Sequence, residues 1–287
     1  MEENGYWGTK TYLSGRIGEK VKFFVPYARG PKVGKSSPEK IASNANNVTR
    51  TVARYINDNF RCGDGWLSPS YDGERYKRVL ARARRMMERE PSLPEQDAIW
   101  FAAQHEGELL MDRVRREAKK RGLELRYLLT TSDVDSKTGE LVRVHHHLIV
   151  CRECVELVKA KWGTAEFLDP DIPEWKDRLW DMTDYTPLAE YMMRQGRHIP
   201  NAKRYTPSRN LIKRKPKTRR VISGARIRPP KGCELLYADP YTGKHDCQYI
   251  RFLLPPEKWT GIWAGKSWED VELSGDCEMD QGGGGHS

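Results

Sequence analysis

Hydrophobic and polar positions follow two different periods along this chain, and each period predicts one kind of element. A period near 3.6 residues begins after Ser37-Pro38, a pair typical of a helix N-terminus, and places Val48, Val52 and Ile56 on one helix face. Similar patterns recur further along the chain, between turn-forming prolines and glycines. The predicted helices cover residues 38–60, 74–90, 95–121 and 186–195.

A period of two residues predicts strands in the intervals between the helices. Leu125–Thr131 and Leu141–Val150 flank the turn sequence Asp135–Gly139, so these residues predict a central hairpin. Further strands are predicted at residues 21–25, 66–71, 165–168, 234–237 and 249–254, the last two as a hairpin. Strands interleaved with helices in this way predict an α+β fold with a central antiparallel sheet and flanking helices.

The same patterns divide the 287 residues into three parts. Residues 1–37 precede the first helix and are predicted to be an N-terminal extension. Residues 38–255 contain every predicted helix and the central hairpin, and are predicted to form the main domain. Residues 256–287 include a glycine run at 282–285 and are predicted to be a partly disordered tail.

Three consecutive histidines lie inside the second strand of the central hairpin. Strand side chains alternate between faces, so His145 and His147 point one way and His146 the other. Two imidazoles two residues apart on a strand form half of a divalent-metal site. The alternative is a set of core histidines whose hydrogen bonds are satisfied inside the protein.

A carboxylate near the end of the first hairpin strand could supply a third ligand. Asp133 is predicted to lie opposite or diagonal to His145, on the face shared by Leu129 and Thr131. Two imidazoles with an oxygen ligand suit Mg²⁺ or Mn²⁺ in a phosphoryl-transfer site. Asp135 and Glu140 are alternatives, although both lie in the turn, where the geometry is less fixed.

Positive charge is concentrated in one segment. The chain has 50 Lys and Arg against 40 Asp and Glu, but residues 191–233 contain fourteen basic residues and no acidic one. Such a segment attracts phosphates and releases counterions from nucleic acid; a solvated loop is the alternative. The residues predicted to contact DNA are Lys203, Arg204, Arg209, Lys213, Arg214, Lys215, Lys217, Arg219 and Arg220.

A predicted helix just before the basic residues carries a candidate nucleophile. Tyr191 lies within this helix, and Arg194 follows on the same face, where its cation could stabilise a phenolate or a scissile phosphate. Tyr185, at the start of the helix, is the competing candidate. The more common role of a helical tyrosine is to pack half-buried in the core.

Taken together, these motifs resemble those of HUH-family endonucleases, the rolling-circle replication initiators of phages, prophages and plasmids. The likeness covers roughly residues 35–255, and the order of its motifs is more specific than any one of them. The matching segments are Trp66–Asp72, Arg143–Ile149, Tyr191 with Arg194, and Lys203–Asn210. Many relatives have lysine at the position of Arg194.

The resemblance implies a five-stranded antiparallel sheet with the tyrosine helix packed across its histidines. It also implies that Mg²⁺ or Mn²⁺, held by His145, His147 and Asp133, polarises a phosphate of single-stranded origin DNA. Tyr191 would then attack, forming a 5′-phosphotyrosine and a free 3′-OH that primes a host polymerase. The chain contains no GxxxxGK[ST] motif, which suggests that a host helicase unwinds the DNA.

Two other functions are compatible with the same residues. The chain could be a non-catalytic nucleic-acid-binding protein with structural histidines, or a conjugative relaxase with the same chemistry. The N-terminal residues lack the apolar stretch of a signal peptide, and no apolar run approaches the roughly 20 residues of a membrane span. We therefore expect a cytoplasmic protein of a bacterial host without a membrane partner.

Overall fold

A computed structural model describes most of the chain. The described residues are 5–28, 38–163, 178–180, 183–197, 199, 202–222, 224–239 and 248–267. They form an α+β structure with antiparallel sheets and flanking helices, which confirms the predicted class. The predicted strand at 165–168 and most of the predicted tail lie outside the described residues.

The helices begin and end close to the predicted positions. Those in the described residues are α1 (Pro38–Asn59), α2 (Gly73–Arg89), α3 (Glu95–Lys120), α4 (Val155–Trp162) and α5 (Thr186–Arg194). The Asp72 side chain caps α2 by accepting a hydrogen bond from the backbone N–H of Arg75, and Pro187 lies in the first turn of α5. Helix α4 was not predicted, because its eight residues follow a strand almost directly and are apolar on more than one side.

The strands form two antiparallel sheets instead of one central sheet. They are β1 (Gly5–Ser14), β2 (Ile17–Pro26), β3 (Gly65–Leu67), β4 (Tyr127–Val134), β5 (Leu141–Val150), β6 (Thr206–Pro207), β7 (Lys217–Val221), β8 (Glu234–Ala238) and β9 (Tyr249–Leu253). The first sheet has the strand order β3-β5-β4-β6, and the second has the order β7-β1-β2-β9-β8. Both predicted hairpins, β4–β5 and β8–β9, are confirmed.

The four-stranded sheet lies between two layers of helices. Helices α2, α3 and α4 pack against Leu129, Val144 and Leu148 on one face. Helices α1 and α5 pack against Leu128 and Ile149 on the other. Because both faces are buried, the sheet can present different side chains to two different environments.

The five-stranded sheet joins the two ends of the chain. Strands β1 and β2 form a hairpin that pairs with β7 on one side and β9 on the other. Residues 5–26 are therefore integrated with C-terminal strands, although the predicted boundary near residue 37 coincides with the start of α1.

The tight turn between β1 and β2 also connects this sheet to helix α1. Gly15 has a φ of 58°, and its N–H donates to the Asp58 carboxylate at 2.9 Å. An added Cβ at Gly15 would lie 2.1 Å from the Asn57 carbonyl oxygen, so the turn requires glycine. Within the described residues, none of the helices has the length and apolarity needed to cross a membrane.

Candidate functional site

The register of the β4–β5 hairpin divides the three histidines between the two faces of the first sheet. Thr130 pairs with His147 and Ser132 pairs with His145, on the face covered by α1 and α5. His146 pairs with Thr131, on the face covered by α3. The predicted alternation is therefore present, and the two sides of the strand have different neighbours.

His147 is held between an indole ring and two polar groups. Its ring stacks on Trp66 with centroids 5.3 Å apart and planes 9° apart. Its Nδ1 lies 3.4 Å from Ser68 Oγ, and its Nε2 lies 3.0 Å from Gln195 Oε1. Burial lowers the pKa of His147 to about 4, with nearby His145 acting in the same direction. The imidazole is therefore neutral near pH 7 and can offer a lone pair.

Gln195 faces both histidines from the end of helix α5. Its Oε1 lies 3.4 Å from Nε2 of His145 as well as 3.0 Å from that of His147. Its backbone carbonyl accepts hydrogen bonds from the N–H groups of Asp133 and Val134, each at 3.1 Å. The β4 strand therefore fixes the backbone of Gln195, and this fixes the approach of its side chain to the histidine pair.

Both ring nitrogens of His145 face oxygen atoms that accept hydrogen bonds, and the contact at Nδ1 is the shorter one. Its Nδ1 lies 3.1 Å from the carbonyl oxygen of Arg143, which can only accept, so Nδ1 carries the proton in the neutral ring. The unprotonated Nε2 then faces the Gln195 oxygen. Metal-binding histidines commonly donate their second ring N–H to a backbone carbonyl in this way.

The side chains of His145, His147 and Gln195 could hold a small divalent cation. Adjacent ligands of a cation with bonds of about 2.1 Å lie about 3 Å apart, close to the separations from Gln195 Oε1. The hydroxyls of Thr130 and Ser132 lie on the same sheet face, buried and without a hydrogen-bond partner among the described residues. These two hydroxyls could position water at such a site.

The structure does not bring the Asp133 carboxylate to the two histidines. Asp133 Oδ2 accepts from Arg197 Nε at 2.7 Å, and Arg197 also donates to Asp97 on α3. No three His, Cys, Asp or Glu side chains gather as a metal site in the described parts of the chain. The predicted register was wrong by one residue: Thr130 and Ser132 share the histidine face, and Asp133 lies in a bulge.

The alternative carboxylates belong to the hairpin turn. Asp135 Oδ1 accepts from the backbone N–H groups of Lys137 and Thr138, each at 2.8 Å, which is a turn-stabilising role. Its backbone N–H donates to the carbonyl oxygen of Glu140, whose side chain is exposed.

Tyr191 lies against His147, and Tyr185 does not. The Tyr191 ring is 5.6 Å from that of His147 and 6.3 Å from that of Trp66, and the side chain is 38% exposed. Arg194 is exposed one helical turn further along. Tyr185 is only 1% exposed, and its hydroxyl donates to the Trp180 carbonyl at 2.8 Å, so it is a core residue.

His146 occupies a closed polar pocket on the opposite face. The Tyr71 hydroxyl donates to Ala103 O at 3.1 Å and lies 2.6 Å from His146 Nε2, while Thr131 Oγ1 lies 3.2 Å from Nδ1. Both ring nitrogens therefore have partners. Burial lowers the pKa of His146 to about 3, with nearby His145 and His147 adding to the effect.

Some of the predicted DNA-contacting residues stabilise the fold, and the others have exposed side chains. Arg204 donates to the carbonyl of Met193, at the end of α5, at 3.0 Å, and Arg214 pairs with Asp58 at 3.3 Å. Lys203 approaches Glu108 at 3.5 Å but remains largely exposed. The other predicted residues have exposed side chains: Arg209, Lys213, Lys215, Lys217, Arg219 and Arg220. This exposed subset can reach phosphates directly.

An open cleft gives access to His145. Its volume is about 410 Å³, and Ser68, Ser70, Arg143 and His145 contribute to its walls. A substrate could therefore approach His145 from solvent. Comparison of the chain with protein-family models, with curated proteins and with solved structures finds no match.

The sequence reasoning missed two members of the site. Gln195 lies four residues after Tyr191, one helical turn away, and this spacing places both on one helix face. Trp66 was predicted as part of a strand and of a matching motif segment, but not as a partner of His147. The helical spacing could have identified Gln195, whereas the stacking of Trp66 on His147 depends on the β3–β5 pairing.

Proposed function

We propose that this chain is a metal-dependent endonuclease that cleaves and rejoins single-stranded DNA through Tyr191. The observation that carries the proposal is the meeting of His145, His147 and Gln195 beneath the partly exposed ring of Tyr191. Two imidazoles and an amide oxygen are suitable ligands for Mg²⁺ or Mn²⁺. The resemblance to HUH-family endonucleases supports the same assignment, with an HUH-like fold around the first sheet.

The protein's own residues would prepare the phosphate and the nucleophile. A bound divalent cation supplies Lewis-acid polarisation of the scissile phosphate. The Arg143 carbonyl holds His145 in the tautomer that offers Nε2, and Trp66 fixes the plane of His147. The anchored backbone of Gln195 brings its oxygen to both rings. These contacts preorganise the ligands before substrate arrives.

Tyr191 would carry out the bond exchange. Its hydroxyl oxygen attacks the phosphorus, the bond from phosphorus to the 3′ oxygen breaks, and that oxygen takes up a proton. The phenolic proton is released toward solvent, to which the ring is exposed. The product is a 5′-phosphotyrosine with a free 3′-OH, and reversal of the transfer rejoins the strand. Arg194 lies one turn away and would stabilise negative charge on the phosphate.

This chemistry suits initiation of rolling-circle replication at an origin of a phage or plasmid. The free 3′-OH would prime a host polymerase, with unwinding left to a host helicase. The exposed basic residues Arg209, Lys213 and Lys215, which follow the tyrosine helix, would bind the DNA backbone. A conjugative relaxase would use the same chemistry, and the origin sequence cleaved distinguishes the two roles.

The deciding experiment detects the covalent intermediate. Wild-type protein is incubated with 5′- and 3′-labelled single-stranded origin DNA and Mn²⁺, and the products are separated on a denaturing gel. We expect a protein–DNA adduct with the wild type and none with Tyr191→Phe. Tyr185→Phe is the matched control, because its hydroxyl is used within the core.

Peptide mapping of the adduct identifies the nucleophile. A DNA-linked peptide containing Tyr191 supports the proposal. An adduct on Tyr185 would keep the enzyme class and reject the assigned nucleophile. Metal-independent binding without any adduct would favour the non-catalytic DNA-binding protein.

A further inference from the structure

Part of the second sheet presents aromatic rings on a face that α1 covers only at one end. The register places Tyr6, Phe23 and Tyr12 on this face. Tyr12 lies under Arg54 of α1, at the covered end. Tyr6 and Phe23 lie toward the other end and are partly exposed. Tyr27, just beyond β2, is 68% exposed with its ring 6.2 Å from that of Tyr6.

Cations are interleaved with these rings. The Arg220 guanidinium lies 4.4 Å from the centre of the Tyr6 ring, and Lys10 Nζ lies 5.0 Å from the centre of the Phe23 ring. The register explains this arrangement, because Gly8 pairs with both Phe23 and Arg220. A glycine here leaves room for the Phe23 ring, since an added Cβ would lie 3.0 Å from it.

The charge of the surrounding strands favours a negatively charged ligand. Strand β7 adds Arg220 to this face and contains no acidic residue, whereas Lys217 and Arg219 project from the opposite face of the same edge strand. Glu19, at the covered end of the same face, is paired with Arg54 at 2.7 Å. Rings with interleaved cations, at an edge rich in positive charge, form the type of surface that binds the bases and phosphates of an unpaired strand.

We propose that Tyr6, Phe23 and Tyr27, with Lys10 and Arg220, form a second binding site that takes single-stranded DNA by base stacking. Because paired bases are stacked on each other within a duplex, their faces are not free for these rings. The site is therefore selective for single strands, without sequence preference. It does not use the histidine pair, so it does not depend on the proposed nicking chemistry.

Binding of an oligonucleotide of about 30 deoxythymidines in EDTA tests this site without cleavage or origin sequence. The full-length chain is used, and fluorescence anisotropy gives the affinity. Tyr6→Ala and Tyr27→Ala should each weaken binding by at least about fivefold, the lower end for one lost stacked base. Tyr6→Phe keeps the ring and should bind nearly as the wild type does.

Tyr237→Ala is a matched control on the same sheet. Tyr237 is also an exposed tyrosine near an arginine, Arg251, but its hydroxyl donates to Asp239 at 2.7 Å. The adjacent carboxylate would repel a phosphate, so this variant should bind as the wild type does. Circular dichroism checks that every variant is folded.

Two further measurements keep the test decisive if an alanine variant is unstable. Arg220→Gln should flatten the salt dependence of binding by about 0.7 in logarithmic slope, the value for one phosphate of a single strand. Photo-crosslinking with 5-iododeoxyuridine should label a peptide containing Tyr6 or Tyr27. If Tyr6→Ala and Tyr27→Ala bind as the wild type does and the crosslinks lie on other peptides, the proposed site is wrong. If the alanine variants lose affinity for duplex DNA as much as for single-stranded DNA, base stacking is not how the site binds. The adduct assay on Tyr191 is unaffected by either result.

Discussion

The two faces of strand β5 carry the same side chain in opposite surroundings. His146 is 0% exposed and His147 is 3% exposed, and burial lowers the pKa of both. Burial and pKa therefore do not separate a structural histidine from a metal ligand. The hydrogen-bond partners distinguish the two histidines. Both ring nitrogens of His146 contact hydroxyl groups, whereas Nε2 of His147 faces the amide oxygen of Gln195, which also faces His145.

The helices behind each face explain this difference. On the His146 side, α3 is long and continuous, and Gly107 lets it approach the imidazole closely. On the His147 side, α5 is short and ends at Arg194, so Gln195 can turn its side chain toward the sheet. His146 is therefore enclosed by α3 on one face, whereas on the other face the histidine pair meets a side chain from the end of α5 and His145 borders a cleft.

The largest effect that we expect from this comparison is on DNA cleavage. His147→Ala removes a ligand and the ring stacked on Trp66, and should reduce Mn²⁺-dependent cleavage by at least about 1,000-fold. His145→Ala should do the same. Single-turnover cleavage of labelled origin DNA measures the effect, and DNA binding in EDTA shows that the variants remain folded.

His146→Leu is the matched control on the other face. It removes two buried hydrogen bonds, so we expect a loss of stability of about 1–3 kcal/mol with most cleavage activity retained below the unfolding temperature. If His146→Leu is as inactive as the other two variants, the division of the strand into a structural and a metal-binding face is wrong.

A smaller effect is expected at the third donor. Gln195→Ala should weaken Mn²⁺ binding by about 10- to 100-fold, because one oxygen is lost while both imidazoles remain. Gln195→Glu should restore or strengthen binding, because a carboxylate supplies the oxygen with a negative charge. Isothermal titration with Mn²⁺ measures both affinities, and equal affinity for Gln195→Ala and wild type would exclude Gln195 as a ligand.

Local patterns predicted the elements better than the connections between them. The helical period after Ser37-Pro38 and the alternation in Leu141–Val150 were sufficient, because each depends on neighbouring residues only. Strands β1 and β7 pair across about 200 residues, and no local pattern encodes that pairing. The N-terminal segment was therefore predicted as an extension when it belongs to a sheet.

In the candidate site, too, local patterns predicted the strands but not how they pair. Strand alternation correctly separated His145 and His147 from His146. The third ligand depended on the register of the hairpin, and Ser132 instead of Asp133 pairs with His145, so Asp133 does not share the face of the histidine pair. A turn sequence does not fix the register of a hairpin to one residue, so the sequence pointed to a carboxylate where the structure places a carboxamide from another element.

A substitution at Gly107 tests how closely α3 packs against His146. At Gly107 an added Cβ would lie 2.9 Å from His146 Cε1 and 3.0 Å from Leu129 Cδ2. Two hydrogen bonds hold the imidazole, so it cannot move away easily. Alanine gains about 1 kcal/mol in helix propensity but costs about 1–3 kcal/mol in overpacking, so Gly107→Ala should be destabilising by up to about 2 kcal/mol.

Thermal unfolding followed by circular dichroism measures this change. The control is Gly73→Ala at the start of α2, where an added Cβ meets nothing within 4 Å. This control should be neutral or slightly stabilising. A Gly107→Ala protein as stable as the control would show that α3 does not press on His146.

The smallest effect on Mn²⁺ binding is expected at Asp133, whose side chain pairs with Arg197 and not with the histidines. Asp133→Asn weakens the ion pair with Arg197 and should cost about 1 kcal/mol of stability, because the amide oxygen can still accept a hydrogen bond. Mn²⁺ affinity should change by less than about threefold, since Gln195 and not Asp133 faces the imidazoles. Isothermal titration of Asp133→Asn and Gln195→Ala with Mn²⁺ compares the affinities of the two variants. A loss of Mn²⁺ affinity larger than that of Gln195→Ala would mean that the carboxylate reaches the metal when the cation binds, and the two faces would then share one site.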